Sequence, residues 1–131
     1  MTLAAAIADL QAKALTLSGV KDAPVNPPES ANVFPFVVSY ARSGNFQPGA
    51  GWANYFHTIF TEFHVARQLL PVAIATALPY AESFGVKVLA DPQLSGTVQE
   101  VREVRYTFGR MSWGDIETIG FRFEVDVKCS L

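Results

Sequence analysis

The chain has 131 residues and a mass of 14.3 kDa, enough for one domain whose core needs no disulfide or metal. Apolar residues make up 50%, and there are only 10 Lys and Arg and 12 Asp and Glu, against roughly 33 charged residues in an average domain of this length. A net charge of −2 and a pI near 5.6 exclude a basic footprint for duplex DNA or RNA, and the single cysteine, Cys129, excludes an internal disulfide or a cysteine-built zinc site.

The first element in chain order is an amphipathic helix over 3–17. Leu3, Ile7, Leu10, Ala14 and Leu17 recur at helical spacing, with Thr2 as N-cap and Ser18-Gly19 as stop. Pro24, Pro27 and Pro28 then make 20–31 a stiff, extended connector. A strand follows over 33–41, with Phe34, Phe36, Val38 and Tyr40 on one face. Pro35 places this strand at a sheet edge or gives it an irregular start.

The glycine-rich stretch 42–53 reads as a long hairpin loop carrying Phe46 and Trp52. Residues 54–66 form a long strand that is partly apolar on both faces, hence buried twice, between layers or between subunits. A second helix is expected over 68–84, with Leu70, Ile74, Ala77, Leu78 and Ala81 inward. Pro71 suits its first turn, and Pro79 should kink or end it. A loop over 85–98 follows, with a short apolar touch at Val86–Val88. Val104, Tyr106 and Phe108 alternate in a third strand. After a turn at Trp113-Gly114-Asp115, Ile119, Phe121, Phe123, Val125 and Val127 alternate in a fourth. Strict period two over five apolar residues pins that strand's register. Arg122, Glu124, Asp126 and Lys128 form its mixed-charge outer face. The order α-β-β-α-β-β implies a single α+β domain over 1–131: a mostly antiparallel four-stranded sheet with helices on one face.

Residues that carry chemistry are sparse. His57 and His64 lie seven apart in one strand, so they point to opposite faces about 23 Å apart and cannot share an ion within one subunit. Cys129 has no neighbouring feature that would lower its pKa. No serine sits in a G-x-S-x-G elbow, and Gly49-Ala50-Gly51 lacks the lysine and following helix of a phosphate cradle. The carboxylates from Glu100 to Asp126 are interleaved with arginines, as in cross-strand charge pairing. No catalytic residue, cofactor or metal site is therefore expected. The aromatics Phe46, Trp52 and Trp113 in glycine-containing loops are either anchors of a protein interface or fold back onto the domain.

The longest apolar stretch, 69–81, would span only about 20 Å as a helix, against a bilayer core of about 30 Å, so no membrane partner is expected. The N-terminus has no basic start and meets Asp9 early, unlike a secretory signal. A soluble, disulfide-free chain made in the cytosol is the expectation.

Leu17-Ser18-Gly19-Val20, Pro27-Pro28-Glu29-Ser30 and Phe34-Pro35-Phe36 resemble the start of tail terminator proteins of long-tailed bacteriophages. Leu70-Pro71, Asp91-Pro92-Gln93-Leu94-Ser95-Gly96-Thr97-Val98 and Thr118-Ile119-Gly120-Phe121-Arg122-Phe123 continue the likeness over most of the chain. The long glycine-rich segment 42–53 departs from it. The resemblance implies a non-enzymatic subunit of a homohexameric ring in the virion, at the head–tail junction, assembled in the host cytoplasm. Such a ring caps the head-proximal end of the tail tube, stops tube growth and presents its other face to head-completion proteins. DNA passes through its bore without specific binding, which mild acidity suits. In that setting Arg122, Glu124, Asp126 and Lys128 contribute to subunit or lumen contacts, and the glycine-rich hairpin reaches a neighbour or the tube. Two other readings stand beside it. One is another neck or tail-completion subunit; the other is a small ligand-binding or enzyme domain with His57 near Glu82 or Tyr80.

Overall fold

The computed structural model describes residues 2–49, 52–67 and 69–130. The expected α+β architecture is present: α1 (Leu3–Leu15), β1 (Phe36–Gly49), β2 (Trp52–Ala66), α2 (Leu70–Leu89), β3 (Glu100–Trp113) and β4 (Ile116–Ser130). The strands form one antiparallel sheet in the order β1-β2-β4-β3, so β1 and β3 are its two edges.

Thr2 caps α1 by accepting the Ala5 N–H on its hydroxyl at 3.1 Å. The helix stops two residues earlier than its apolar spacing predicts. The Thr16 hydroxyl donates to the Lys13 carbonyl at 2.7 Å, and Gly19 turns the chain at φ +89°, a value open to glycine without strain. On the buried face of α1, Gln11 holds three partners. Its amide donates to the carbonyls of Pro24 and Val37, and its oxygen accepts from Ser39, so one side chain ties helix, connector and edge strand together.

The connector is extended, as its prolines require, and its course supplies something periodicity does not encode. Asp22 bridges to Phe36 in parallel, covering the start of the β1 edge. Residues 27–34 then cross to the sheet face opposite the helices. There Ala31, Phe36 and Val38 form a second small core, with Phe34, Tyr40 and Trp113 packed on it.

The segment 42–53 is a correction to the loop expectation. β1 runs on to Gly49 and β2 begins at Trp52, with Phe46 opposite Tyr55 and Gln47 opposite Asn54. A β-bulge between Ala41 and Ser43 re-registers the strand. The glycines and asparagine lower strand propensity, but a neighbour already held in the sheet supplies the ladder that overrides it. β2, between β1 and β4, is buried on both faces over 59–65 as expected.

α2 also departs from expectation. It continues through Pro79 to Leu89, so 85–89 is helix rather than loop. Its buried stripe is Ala73, Ala77, Tyr80, Phe84 and Val88. Of the residues expected inward, only Ala77 is fully buried, Ala81 is half-buried, and Leu70, Ile74 and Leu78 are exposed. In a helix with only Glu82 and Lys87 charged, apolar spacing marks no unique face. The aromatic stripe wins because Phe63, Phe84 and Phe123 interlock with ring centroids 4.9–5.5 Å apart. Pro79 is exposed and removes one helical hydrogen bond. Pro79→Ala should therefore raise stability by about 1 kcal/mol, read as a higher urea midpoint with an unchanged slope.

Leu94 and Val98 plug the sheet end beyond α2, where Leu94, Ser95 and Gly96 take positive φ in succession. Lys13 pairs with Asp9 at 2.5 Å and Asp91 at 2.8 Å, joining α1 to this loop. In β4 the predicted alternation holds: Ile119, Phe121, Phe123, Val125 and Val127 face the helices, and Gly114, at φ +61°, makes the hairpin turn.

Candidate functional site

The sheet face opposite the helices carries Arg122, Glu124, Asp126 and Lys128, on one side of β4 as their alternation predicts. Each is half-buried, and three of the four are ion-paired across strands, Arg122 with Glu62 and both Glu124 and Asp126 with Arg105. Arg105 of β3 donates to Asp126 at 2.6 Å, to Glu103 at 2.6 Å and, at 3.5 Å, to Glu124. The hydrogen bond to Asp126 is the main cause that holds the Arg105 guanidinium charged to still higher pH than usual. Thr58 donates to Asp126, and Arg102 lies 4.9 Å over the Phe56 ring. Between the bulges of β1 and β3 this face forms a shallow polar cleft of about 490 Å³. Its charges neutralise one another pairwise, which leaves little free potential for phosphate.

Toward the α2-proximal end the same face becomes buried. Glu62, 2% exposed, accepts from Tyr40 at 2.5 Å and from Arg122 at 2.9 Å, and it meets His64 Nε2 at 2.9 Å. His64 Nδ1 contacts the Thr118 hydroxyl at 2.5 Å. Burial alone would raise the Glu62 pKa, but the hydrogen bonds from His64 and Tyr40 and the nearby charges outweigh it and hold the carboxyl below its ordinary range. Burial and the Glu62 carboxylate push the Tyr40 phenol up to about 12. Thr118, His64 and Glu62 follow the order of a hydroxyl–imidazole–carboxylate relay, yet His64 is wholly enclosed and Thr118 is 2% exposed. No substrate atom reaches them, and the arrangement ties β1, β2 and β4 together rather than exposing a nucleophile. This cluster escaped the sequence reading. The available signal was Glu62 and His64 two apart in an apolar strand, hence on one face.

His57 lies on the helix-bearing face beside Tyr55 and Phe46, opposite in direction to His64, as their odd spacing requires. Burial holds its pKa below the usual imidazole value. Glu82 is exposed on α2, and Tyr80 donates to the Ser18 carbonyl, so the structure does not assemble the pocket that pairs either with His57. Cys129 is buried, which raises its thiol pKa.

The interface aromatics divide. Phe46 is 74% exposed at the β1 edge, stacked on Tyr55 at 5.3 Å. Trp113 is instead at the end of β3, half-buried between Phe36 and Tyr40, and its indole N–H donates to the Pro28 carbonyl at 2.8 Å. It folds back onto the domain, the second of the two courses open to a loop aromatic. The Trp52 side chain lies outside the described residues.

Most of the exposed large apolar side chains among the described residues lie on α2 and β3, where the sequence pattern points to none. Leu69, Leu70, Val72, Ile74, Leu78, Val86 and Leu89 of the helix segment, with Tyr106 and Phe108 of β3, are 36–79% exposed. On a helical wheel the apolar arc spans about 200° and is broken by Glu82 alone. α2 is also long and apolar enough to cross a membrane by length and composition, about 30 Å rather than the 20 Å expected of 69–81. Its aromatic stripe, however, is committed to the sheet. In comparison with known proteins, no family model and no curated protein matches the chain.

Proposed function

We propose that the chain is a non-enzymatic structural subunit of a bacteriophage tail, working without cofactor or metal. Its copies form a homohexameric ring that caps the head-proximal end of the tail tube, stops tube polymerisation and offers its other face to head-completion proteins. The ring belongs to the virion, is assembled in the host cytoplasm and has no membrane partner. The observation that carries this reading is the distribution of uncovered surface. Both sheet edges are open over most of their length, and each bears exposed apolar side chains. An open edge without protection is a template for another chain, and a closed ring of copies removes every edge at once. The resemblance along the sequence supplies the setting. The self-neutralised charges of Arg105, Arg122, Glu124 and Asp126 suit a bore through which DNA slides without being held.

Adding the purified chain to polymerising cognate tail-tube protein should halt elongation, with one ring visible at a single end of each tube by electron microscopy. Tubes that keep growing with bare ends refute the capping role. A ring that joins only to completed heads, or stands one level above the tube end, assigns the chain to another neck position.

A further inference from the structure

Two apolar surfaces lie at opposite edges of the sheet, and nothing within one chain brings them together. At the β1 edge Phe46 projects on the helix-bearing side, in the cross-strand row Phe46–Tyr55–Cys129. At the β3 edge Tyr106 and Phe108 stand on the same side, next to α2, which packs over β4 and touches β3 and whose Leu70, Ile74 and Leu78 are exposed. Three strand spacings, about 14 Å, separate the two edges. Resting on the ring reading above, we infer that Phe46 of one copy packs between α2 and β3 of the next, against Leu78 and Tyr106, as the side-chain contact that joins neighbours.

The occupant is a second copy for two reasons. On the flank toward β3, the exposed parts of Leu70, Ile74, Leu78, Tyr106 and Phe108 present on the order of 500 Å², well over half of one partner's share of a standard protein interface. The two patches also differ in shape: a single projecting aromatic pair on one edge, a broad helix flank on the other. A two-fold contact would join like to like and leave the other edge uncovered in every molecule. A head-to-tail contact covers both.

The direction of the contact makes it testable with the whole chain by sedimentation over a concentration series. Phe46→Asp and Leu78→Asp alter exposed side chains, so both should keep the wild-type circular dichroism spectrum. Each should weaken self-association at least tenfold. Mixed in equal amounts they should form dimers and nothing larger, because each variant retains one competent surface. Tyr106→Thr, which suits an exposed strand, should behave as Leu78→Asp does. If Phe46→Asp associates like wild type while Leu78→Asp does not, the contact is two-fold through α2 and the inference falls. If wild-type assembly ignores all three substitutions, the contact is overturned while the ring stands. If the mixture gives dimers but the wild type grows open filaments, the contact holds and the closed ring falls. A wild type that stays monomeric at millimolar concentration overturns both.

Discussion

Gly120→Val will leave the chain unfolded at room temperature, the largest effect expected of any single substitution described. Gly120 sits in β4 between His64 of β2 and Gly109 of β3. A Cβ at this position would run into the Phe63 carbonyl oxygen, well inside van der Waals contact, and would also touch Met111. The obstruction is backbone of a central strand, which cannot move aside without breaking the β2–β4 ladder. Its residues face the main core on one side and the Glu62 cluster on the other. Gly120→Ala should already cost about 3 kcal/mol or more, since the clash begins at the first carbon. Gly109 is the control. It lies directly opposite Gly120, yet nothing lies within 4 Å of its added Cβ, so Gly109→Ala should stay within about 0.5 kcal/mol of wild type in urea.

Glu62→Ala is expected to lower stability by about 3 kcal/mol, roughly 10 °C in Tm, without changing the architecture. It removes the shared acceptor of Tyr40, His64 and Arg122, leaving the fully buried His64 and the half-buried Tyr40 without their partner. The same carboxylate creates a pH dependence of known sign. Its pKa is lower in the folded chain than the ordinary value of 4.5, so the unfolded state binds the proton more readily. The stability it contributes is complete above that ordinary value and is lost as the pH falls from there through the folded pKa. A urea series from pH 7 to pH 3 should show the wild type losing stability over that acid window. Glu62→Gln should flatten that part of the curve, because the amide does not titrate.

The readings that succeeded and failed have distinct physical origins. β4 was legible because one face is buried against the helices and the other carries charge, so period two is enforced at every step. The edge position of β1 followed from Pro35, and the opposed histidines from strand geometry. The strand nature of 42–49 is hidden because Gly44, Asn45 and Gly49 have poor intrinsic propensity, and pairing with β2 is a long-range property. α2 misled in a different way: a helix apolar all round offers no contrast from which to choose a face, and its outward leucines read as core. Trp113 was assigned to a loop because its partners, Pro28, Phe36 and Tyr40, are distant in sequence. The charged row of β4 was found where expected. The network beneath its far end required knowledge that Arg122, Glu62 and Tyr40 meet across three strands.

The connector shields one end of the β1 edge and leaves the other free. Because Asp22 and the proline-rich stretch lie along the start of β1, only residues 41–48 of that edge are exposed throughout. In the proposed ring, a neighbour sliding along this edge toward Phe36 would strike the strap. Under that proposal the strap is a mechanical stop that would set the height at which the next subunit seats. In the proposed ring, identical stops on every copy would hold the subunits level, so that both rims could lie flat against different partners.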